Sequence, residues 1–422
     1  EVRRTFPEAR KNVPGTAESA RHGRMRYHCA YLHRCAPNPL PMTLSRSDYL
    51  LNPDVVFLNH GSFGATPRAV FDTYQAWQRR LEWQPVQFLG VELAGHLAEA
   101  RAALGGYLRA DAGELVYIPN ATFGVNVVAH SLRLGPGDEV LTTDHEYGAC
   151  DRVWRYRRAR QGFDYRRVSL PLPLSPAEAV VEQLWAGVTS QTRVIFLSHI
   201  TSPTAARLPV EAVCARARAE GILTVIDGAH APGQIDLDLT ALGADFYTGN
   251  AHKWLSSPKG AAFLYTRHEA QPMVEPLVIG WGWEAEPEMS YGSRFLDYQQ
   301  WLGTIDYSAY LSVPAAIHFQ AEHDWPAVRA ACRQLVGAAI DGIGELTGLP
   351  TLYPRGGYEQ MAAAALPPQT DTAVLKRRLL DEFAIEIPCL CWNEQPLIRV
   401  SIQAYNTTED VAALLAALRV LL

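Results

Sequence analysis

The chain has no apolar run approaching the roughly 18 residues that a membrane-crossing helix needs, so no transmembrane segment is expected. It has no surplus of positive charge either. The formal net charge is −6, which offers nothing to a nucleic-acid backbone or an anionic membrane surface. Cysteine is sparse: seven residues, at 29, 35, 150, 214, 332, 389 and 391, an odd number scattered over 422 positions. Such a set does not read as a disulfide framework and points to a reducing, cytoplasmic setting. What is present, 48% hydrophobic and 19% charged residues, describes an ordinary globular chain, long enough for two domains.

Residues 1–41 differ from the rest. They carry Arg3, Arg4, Arg10, Lys11, Arg21, Arg24, Arg26 and Arg34 against Glu1, Glu8 and Glu18, with no sustained apolar period. A transit peptide is basic but also amphipathic, and no helical face is found here. With no initiating Met and a natural start at Met42-Thr43-Leu44, we expect a disordered extension. His28, Cys29, His33 and Cys35 have a metal-ligand look, but their spacing matches no zinc signature, and no metal site is expected.

The most informative stretch is 222–260. Ile222-Leu223-Thr224-Val225-Ile226 reads as a buried parallel strand ending in Asp227. Residues 245–249 read as a second strand, leading into Asn250-Ala251-His252-Lys253-Trp254. An acid and a lysine thus stand at the carboxyl ends of two strands, where ligands gather in open α/β sheets. Pyridoxal phosphate (PLP) needs this pair. A lysine holds its aldehyde as a Schiff base, and a carboxylate keeps its ring nitrogen protonated as an electron sink. Lys253 would then act as base on a substrate α-proton. Either residue alone reads more simply, as a helix cap or a surface lysine.

Asp227-Gly228-Ala229-His230 followed by Gly249-Asn250-Ala251-His252-Lys253-Trp254 resembles the class V aminotransferase family of PLP enzymes. Leu58-Asn59-His60-Gly61-Ser62-Phe63-Gly64 narrows the resemblance to its isopenicillin N epimerase-like branch. The resemblance spans about residues 43–422. It implies an α/β chain of PLP fold type I: a large domain over 42–306, with a mostly parallel sheet flanked by helices, and a smaller C-terminal α+β domain over 307–422. It also implies a homodimer with shared active sites.

Site residues follow from the same resemblance. Strand 115–118, the turn at Pro119-Asn120-Ala121-Thr122 and a helix to about 132 form a phosphate cradle at a helix N-terminus, so Ala121 and Thr122 should hold the PLP phosphate. Asn250 and His252 match further phosphate contacts, and Gly303-Thr304 should reach the partner subunit's phosphate. His145 is expected to stack on the cofactor ring, with Tyr147 as runner-up. Ser202 and His230 should lie near the ring 3′-oxygen. Arg399 should bind the substrate α-carboxylate through its planar fork. Asn59, His60 and Ser62 are candidate substrate contacts, as is Gln87, in a Pro-interrupted segment expected to be non-helical. Residues 280–300 lack a period and are expected to form a long functional loop.

The substrate implied is a small amino-acid-type molecule, and the reaction most like the branch is epimerisation at its α-carbon. A C–S lyase reaction by β-elimination is the alternative. Cysteine desulfuration needs a mobile thiol shortly before the arginine. Cys389 and Cys391 stand near that place, but in a short apolar segment more like strand than loop. A non-catalytic binding protein on the same fold is the remaining alternative.

Overall fold

The computed structural model of the chain describes residues 44–422 except residue 355. The expected extension over 1–41, with His28, Cys29, His33 and Cys35, lies outside the described residues. No helix among the described residues is long and apolar enough to cross a membrane.

A short strand, β1 (Val56–Phe57), precedes the main sheet. That sheet is built from β2 (Leu115–Ile118), β3 (Glu139–Thr143), β4 (Asp164–Val168), β5 (Thr192–Ser198), β6 (Leu223–Asp227), β7 (Phe246–Asn250) and β8 (Ala262–Thr266). The spatial order is β2-β8-β7-β6-β5-β3-β4. Only β8 runs against its neighbours; the other pairings, β7-β6-β5-β3-β4, are parallel. The carboxyl ends of β2, β5, β6 and β7 therefore open on one edge of the sheet.

Side-chain alternation explains why the inner strands β5 and β6 are largely apolar while the edge strand β4 is not. Val194, Phe196, Val225 and Phe246 enter one hydrophobic cluster, while Ile195, Leu197, Ile226 and Tyr247 enter the other. A parallel strand covered on both faces must be apolar at every position. Helices Ala121–Ser131 and Gly148–Gln161 cover one face through Val125, Val128, Cys150 and Trp154. Leu93–Leu108 and Val210–Ala219 contribute to the other through Leu97, Leu104, Val213 and Ala217.

The C-terminal part forms a second, antiparallel sheet. Its strands are β9 (Met361–Ala365), β11 (Cys389–Trp392) and β12 (Gln395–Ser401), in the order β11-β12-β9, while β10 (Ile385–Glu386) pairs in parallel with β1. Helices Trp325–Thr347 and Thr408–Leu421 pack against each other. The pairing of β1 and β10, continued by a bridge between Asn59 and Ser401, carries the 58–64 turn onto the edge of this sheet beside β12.

Two sequence expectations are corrected. The segment after Trp83 is helical throughout: Pro85–Gln87, a π-turn Phe88–Glu92, then Leu93–Leu108. Pro85 occupies the first helical position, where its missing N–H has no partner to lose. Residues 280–300 are not all loop, since Arg294–Gln300 is a helix capped by the Ser293 hydroxyl on the Leu296 amide. The first strand of the second sheet begins at Met361.

Candidate active site

The carboxyl ends of β2, β5, β6 and β7 enclose a cavity of about 400 Å³, lined by Ser62, Tyr147, Asp227, His230 and Lys253 among others. That volume lies within the roughly 300–1,000 Å³ of small-molecule sites. Asp227, the last residue of β6, is 4% exposed. Its Oδ1 accepts from the Ala229 amide at 2.9 Å, and the Cys150 thiol donates to Oδ2 at 3.5 Å. Burial raises its pKa, opposed by the Ala229 hydrogen bond and the Lys253 charge. Burial likewise lowers Lys253 to about 8, with the Asp227 charge acting against the shift. Lys253 Nζ lies 3.1 Å from Nε2 of His230.

The Lys253 loop is held from behind by the 58–64 turn. His60, fully buried, donates from Nε2 to the Lys253 carbonyl at 3.0 Å and accepts at Nδ1 from the Tyr405 hydroxyl at 2.9 Å. Gly64 (φ +74°) comes so close that a Cβ there would lie 2.0 Å from the His252 carbonyl oxygen. Only glycine combines that conformation with that approach.

The cradle at the start of helix Ala121–Ser131 forms as expected, with a division of labour. Asn120 caps the helix by accepting from the Phe123 amide at 2.9 Å. Asn250 Oδ1 accepts from the Ala121 amide at 2.8 Å. Ala121 is thus committed to the protein, and the Thr122 amide and hydroxyl are left for an anion at the positive end of the helix. His252, also on the cavity wall, donates from Nδ1 to the Ala261 carbonyl at 3.0 Å. Burial lowers it to about 4, helped by the Lys253 charge.

Arg399, in β12, is 5% exposed, and no acidic side chain pairs with it among the described residues. Its Nη1 donates to the carbonyl of Ser202 and, at 3.3 Å, to the Ser202 hydroxyl; Nη2 donates to the Ser62 hydroxyl at 3.2 Å. Its buried Nε has no partner. Ser62 passes the network to Asn59, whose Nδ2 donates to Glu386 at 3.0 Å. Ser62 and Ser202 line the cavity, so the guanidinium stands directly behind its wall.

The structure therefore brings together Ser62, Ala121, Thr122, Ser202, Asp227, His230, Asn250, His252 and Lys253, with Arg399 behind. Four expected residues, His145, Asn59, His60 and Gln87, lie elsewhere. His145 is fully buried beside Trp392 (ring centroids 4.4 Å apart); Nε2 donates to Leu170 O and Nδ1 accepts from Thr204. Tyr147, two residues on, takes the cavity wall instead. Asn59 and His60 support the wall rather than form it. Gln87 sits at the end of a helical turn and does not line the cavity. Gly303-Thr304, expected at the partner subunit's phosphate, lie in a partly exposed loop.

A family model described as aminotransferase class V matches residues 57–414. The chain belongs to this family. As a class V aminotransferase relative it is a PLP-dependent enzyme, and the residues above fit that cofactor: a buried acid, a half-buried lysine and a helix N-terminus with an uncommitted amide. Isopenicillin N epimerase of Amycolatopsis lactamdurans is 38% identical over 390 residues, covering 89% of this chain and 97% of that protein. A putative L-cysteine desulfhydrase of Oryza sativa subsp. japonica is 31% identical, covering 84% and 81%. Among solved structures, the cysteine desulfurase CsdA from Escherichia coli aligns with a TM-score of 0.75 at 22% identity, covering 89% of this chain and 98% of that one. The cystine C-S lyase C-DES aligns at 0.76 and 23%, covering 87% and 98%. At such identity these two speak for the fold alone.

Sequence reasoning on this class V chain missed several cavity neighbours. Glu146 is buried between the Ser198 and Thr143 hydroxyls, which donate at 2.6 and 2.7 Å, and burial raises it to about 8. Cys150 touches Asp227 from helix Gly148–Gln161. Trp254 donates to His230. The signal for Trp254 was adjacency to Lys253. Glu146 and Cys150 lie in a helix-entry segment whose inward face only the packing defines.

Proposed function

We propose that the enzyme inverts the α-carbon of an amino acid or amino-acid-containing substrate, in the manner of an isopenicillin N epimerase. The observation that carries this reading is the convergence on one cavity of a lysine lowered toward neutrality and a buried guanidinium with no carboxylate of its own. In this reading Arg399 receives the substrate α-carboxylate, and Thr122, with His252, holds the cofactor phosphate. Bound PLP supplies an electron sink for the pair left by the departing α-proton. Asp227 would keep a proton at the ring nitrogen by its negative charge, Lys253, as free amine, would take up the α-proton, and a donor on the opposite face would return a proton to complete the inversion. Likeness to the 38% identical epimerase supports inversion.

The desulfhydrase-named relatives support β-elimination at a C–S bond as the second reading. Desulfuration has less support. Cys389, pushed up to about 12 by burial, and Cys391 lie on strand β11, and neither lines the cavity. We also propose a homodimer. Phe63, on the cavity wall, is 70% exposed, and Trp83, Val86 and Val91 are exposed on the helical segment beyond. An apolar surface of that kind marks an interface. The unpaired Cys150, Cys214, Cys332, Cys389 and Cys391 support a cytoplasmic setting.

The test is α-proton exchange in heavy water. PLP-loaded enzyme is offered L-amino acids, cysteine conjugates and δ-linked aminoadipoyl peptides, with Lys253→Ala as control, and deuterium uptake and chirality are followed. Uptake with appearance of the D-form, absent in the control, is the expected result. Release of a keto acid and a sulfur fragment would move the assignment to the lyase.

A further inference from the structure

His230 joins two donors. Its Nε2 lies 3.1 Å from Lys253 Nζ and its Nδ1 3.2 Å from the indole Nε1 of Trp254. An indole N–H can only donate, and so can an ammonium, whereas a neutral imidazole has a single acceptor nitrogen. Trp254 and a charged Lys253 therefore compete for one lone pair. The indole is the better placed of the two. Trp254 is fully buried, with its ring against His60 (centroids 4.9 Å apart), and its carbonyl accepts from Gln320 at 3.0 Å. The backbone at Gly233 closes on it so tightly that a Cβ there would lie 2.3 Å from its carbonyl carbon. His230 is anchored too, its carbonyl accepting from Gln234 at 2.7 Å. The lysine, on its long flexible stem, is the partner that adapts.

We propose that Trp254 is a positioning residue: by occupying Nδ1 of His230 it fixes the Nε2–H tautomer, and that N–H holds Lys253 as a free amine able to capture the cofactor. A free amine accepts from Nε2–H, and an ammonium cannot. Other groups act on Lys253 as well. Asp227 at the end of β6 favours the ammonium through its charge; Arg399 on β12 disfavours it, as does burial, and the Cys150 thiol reaches over from helix Gly148–Gln161. His252 lies beside it in the chain. His230 itself is held neutral, first by burial and then by the Lys253 and Arg399 charges. None of these depends on the indole, so removing the indole N–H isolates the tautomer. The consequence for capture rests on the proposed role of Lys253, whereas the tautomer does not.

Both parts are measured on the full chain stripped of cofactor. With 15N-labelled histidine, long-range proton–nitrogen correlations report the His230 ring, assigned by its loss in His230→Gln. The Nε2–H form is expected in the wild type, and Trp254→Phe is expected to populate the Nδ1–H form. The Lys253 titration is read from the rate of PLP capture against pH, followed by the visible absorption of bound cofactor. The wild-type midpoint is expected near pH 8. Trp254→Phe should raise it by about one unit, the scale of one hydrogen bond to a charged group. In the His230→Gln background the side-chain amide donates whatever stands at 254, so Trp254→Phe should leave the midpoint unmoved. An Nδ1–H ring in the wild type, or an equal shift in both backgrounds, overturns the proposal. Retention of the visible band by Lys253→Ala would instead overturn the role of Lys253.

Discussion

Arg399 is the side chain proposed to receive the substrate carboxylate. A buried guanidinium without a carboxylate is costly, and burial already lowers its pKa to about 10. Hydroxyl and carbonyl partners orient its fork without neutralising it. On the proposed reading a substrate carboxylate would complete the pair. Arg399→Lys keeps the charge and loses the fork, so KM should rise about 10- to 100-fold, the worth of one or two charge-assisted hydrogen bonds. The visible absorption of bound cofactor should not change. Loss of cofactor in this variant would mean a structural role. The histidines show the limit of reading single residues. His145, His230 and His252 each stand beside a strand end in sequence, yet one is spent on Thr204 and the Leu170 carbonyl while two reach the cavity.

At the scale of elements, the site consists of strand ends plus the turn at 58–64. The turn acts from behind the lysine: the His60 imidazole fixes the Lys253 carbonyl, and Gly64 lets the two segments touch. Gly64→Ala should therefore push the Lys253 loop away and strain the turn, at a cost of about 1–3 kcal/mol. We expect a lower melting temperature together with slower PLP capture; normal capture would show that the contact does not position the lysine. The elements themselves were largely legible. Local sequence marked β2, β6 and β7 and the helix that follows β2. Segment 84–92 was not legible, because a proline in a first turn and a proline that breaks a helix look alike in sequence.

At the scale of the molecule, two distant parts of the chain meet at one cavity. Asp227 and Lys253 come from the parallel sheet, Arg399 from the antiparallel one, and β1 with its turn ties the second sheet to the lysine loop. The exposed Phe63, Trp83, Val86 and Val91 lie along the turn and the helical segment that follows it. Sedimentation should show a dimer, and Trp83→Glu with Val91→Glu should shift it toward monomer and reduce activity with it. A wild-type monomer in sedimentation would exclude the shared-site arrangement.

The sequence by itself marked β2, β6 and β7 and placed Asp227 and Lys253 at or just past the ends of two of them. Apolar periodicity and short motifs are local, and a strand buried on both faces announces itself in its own residues. Tertiary structure alone decided which neighbours face inward: Tyr147 rather than His145, Ser62 rather than Asn59, and Trp254 against the far nitrogen of His230. Those choices depend on side-chain direction at a strand end or turn, where one residue of phase moves a group from the cavity to the core. No local pattern in the chain records that phase.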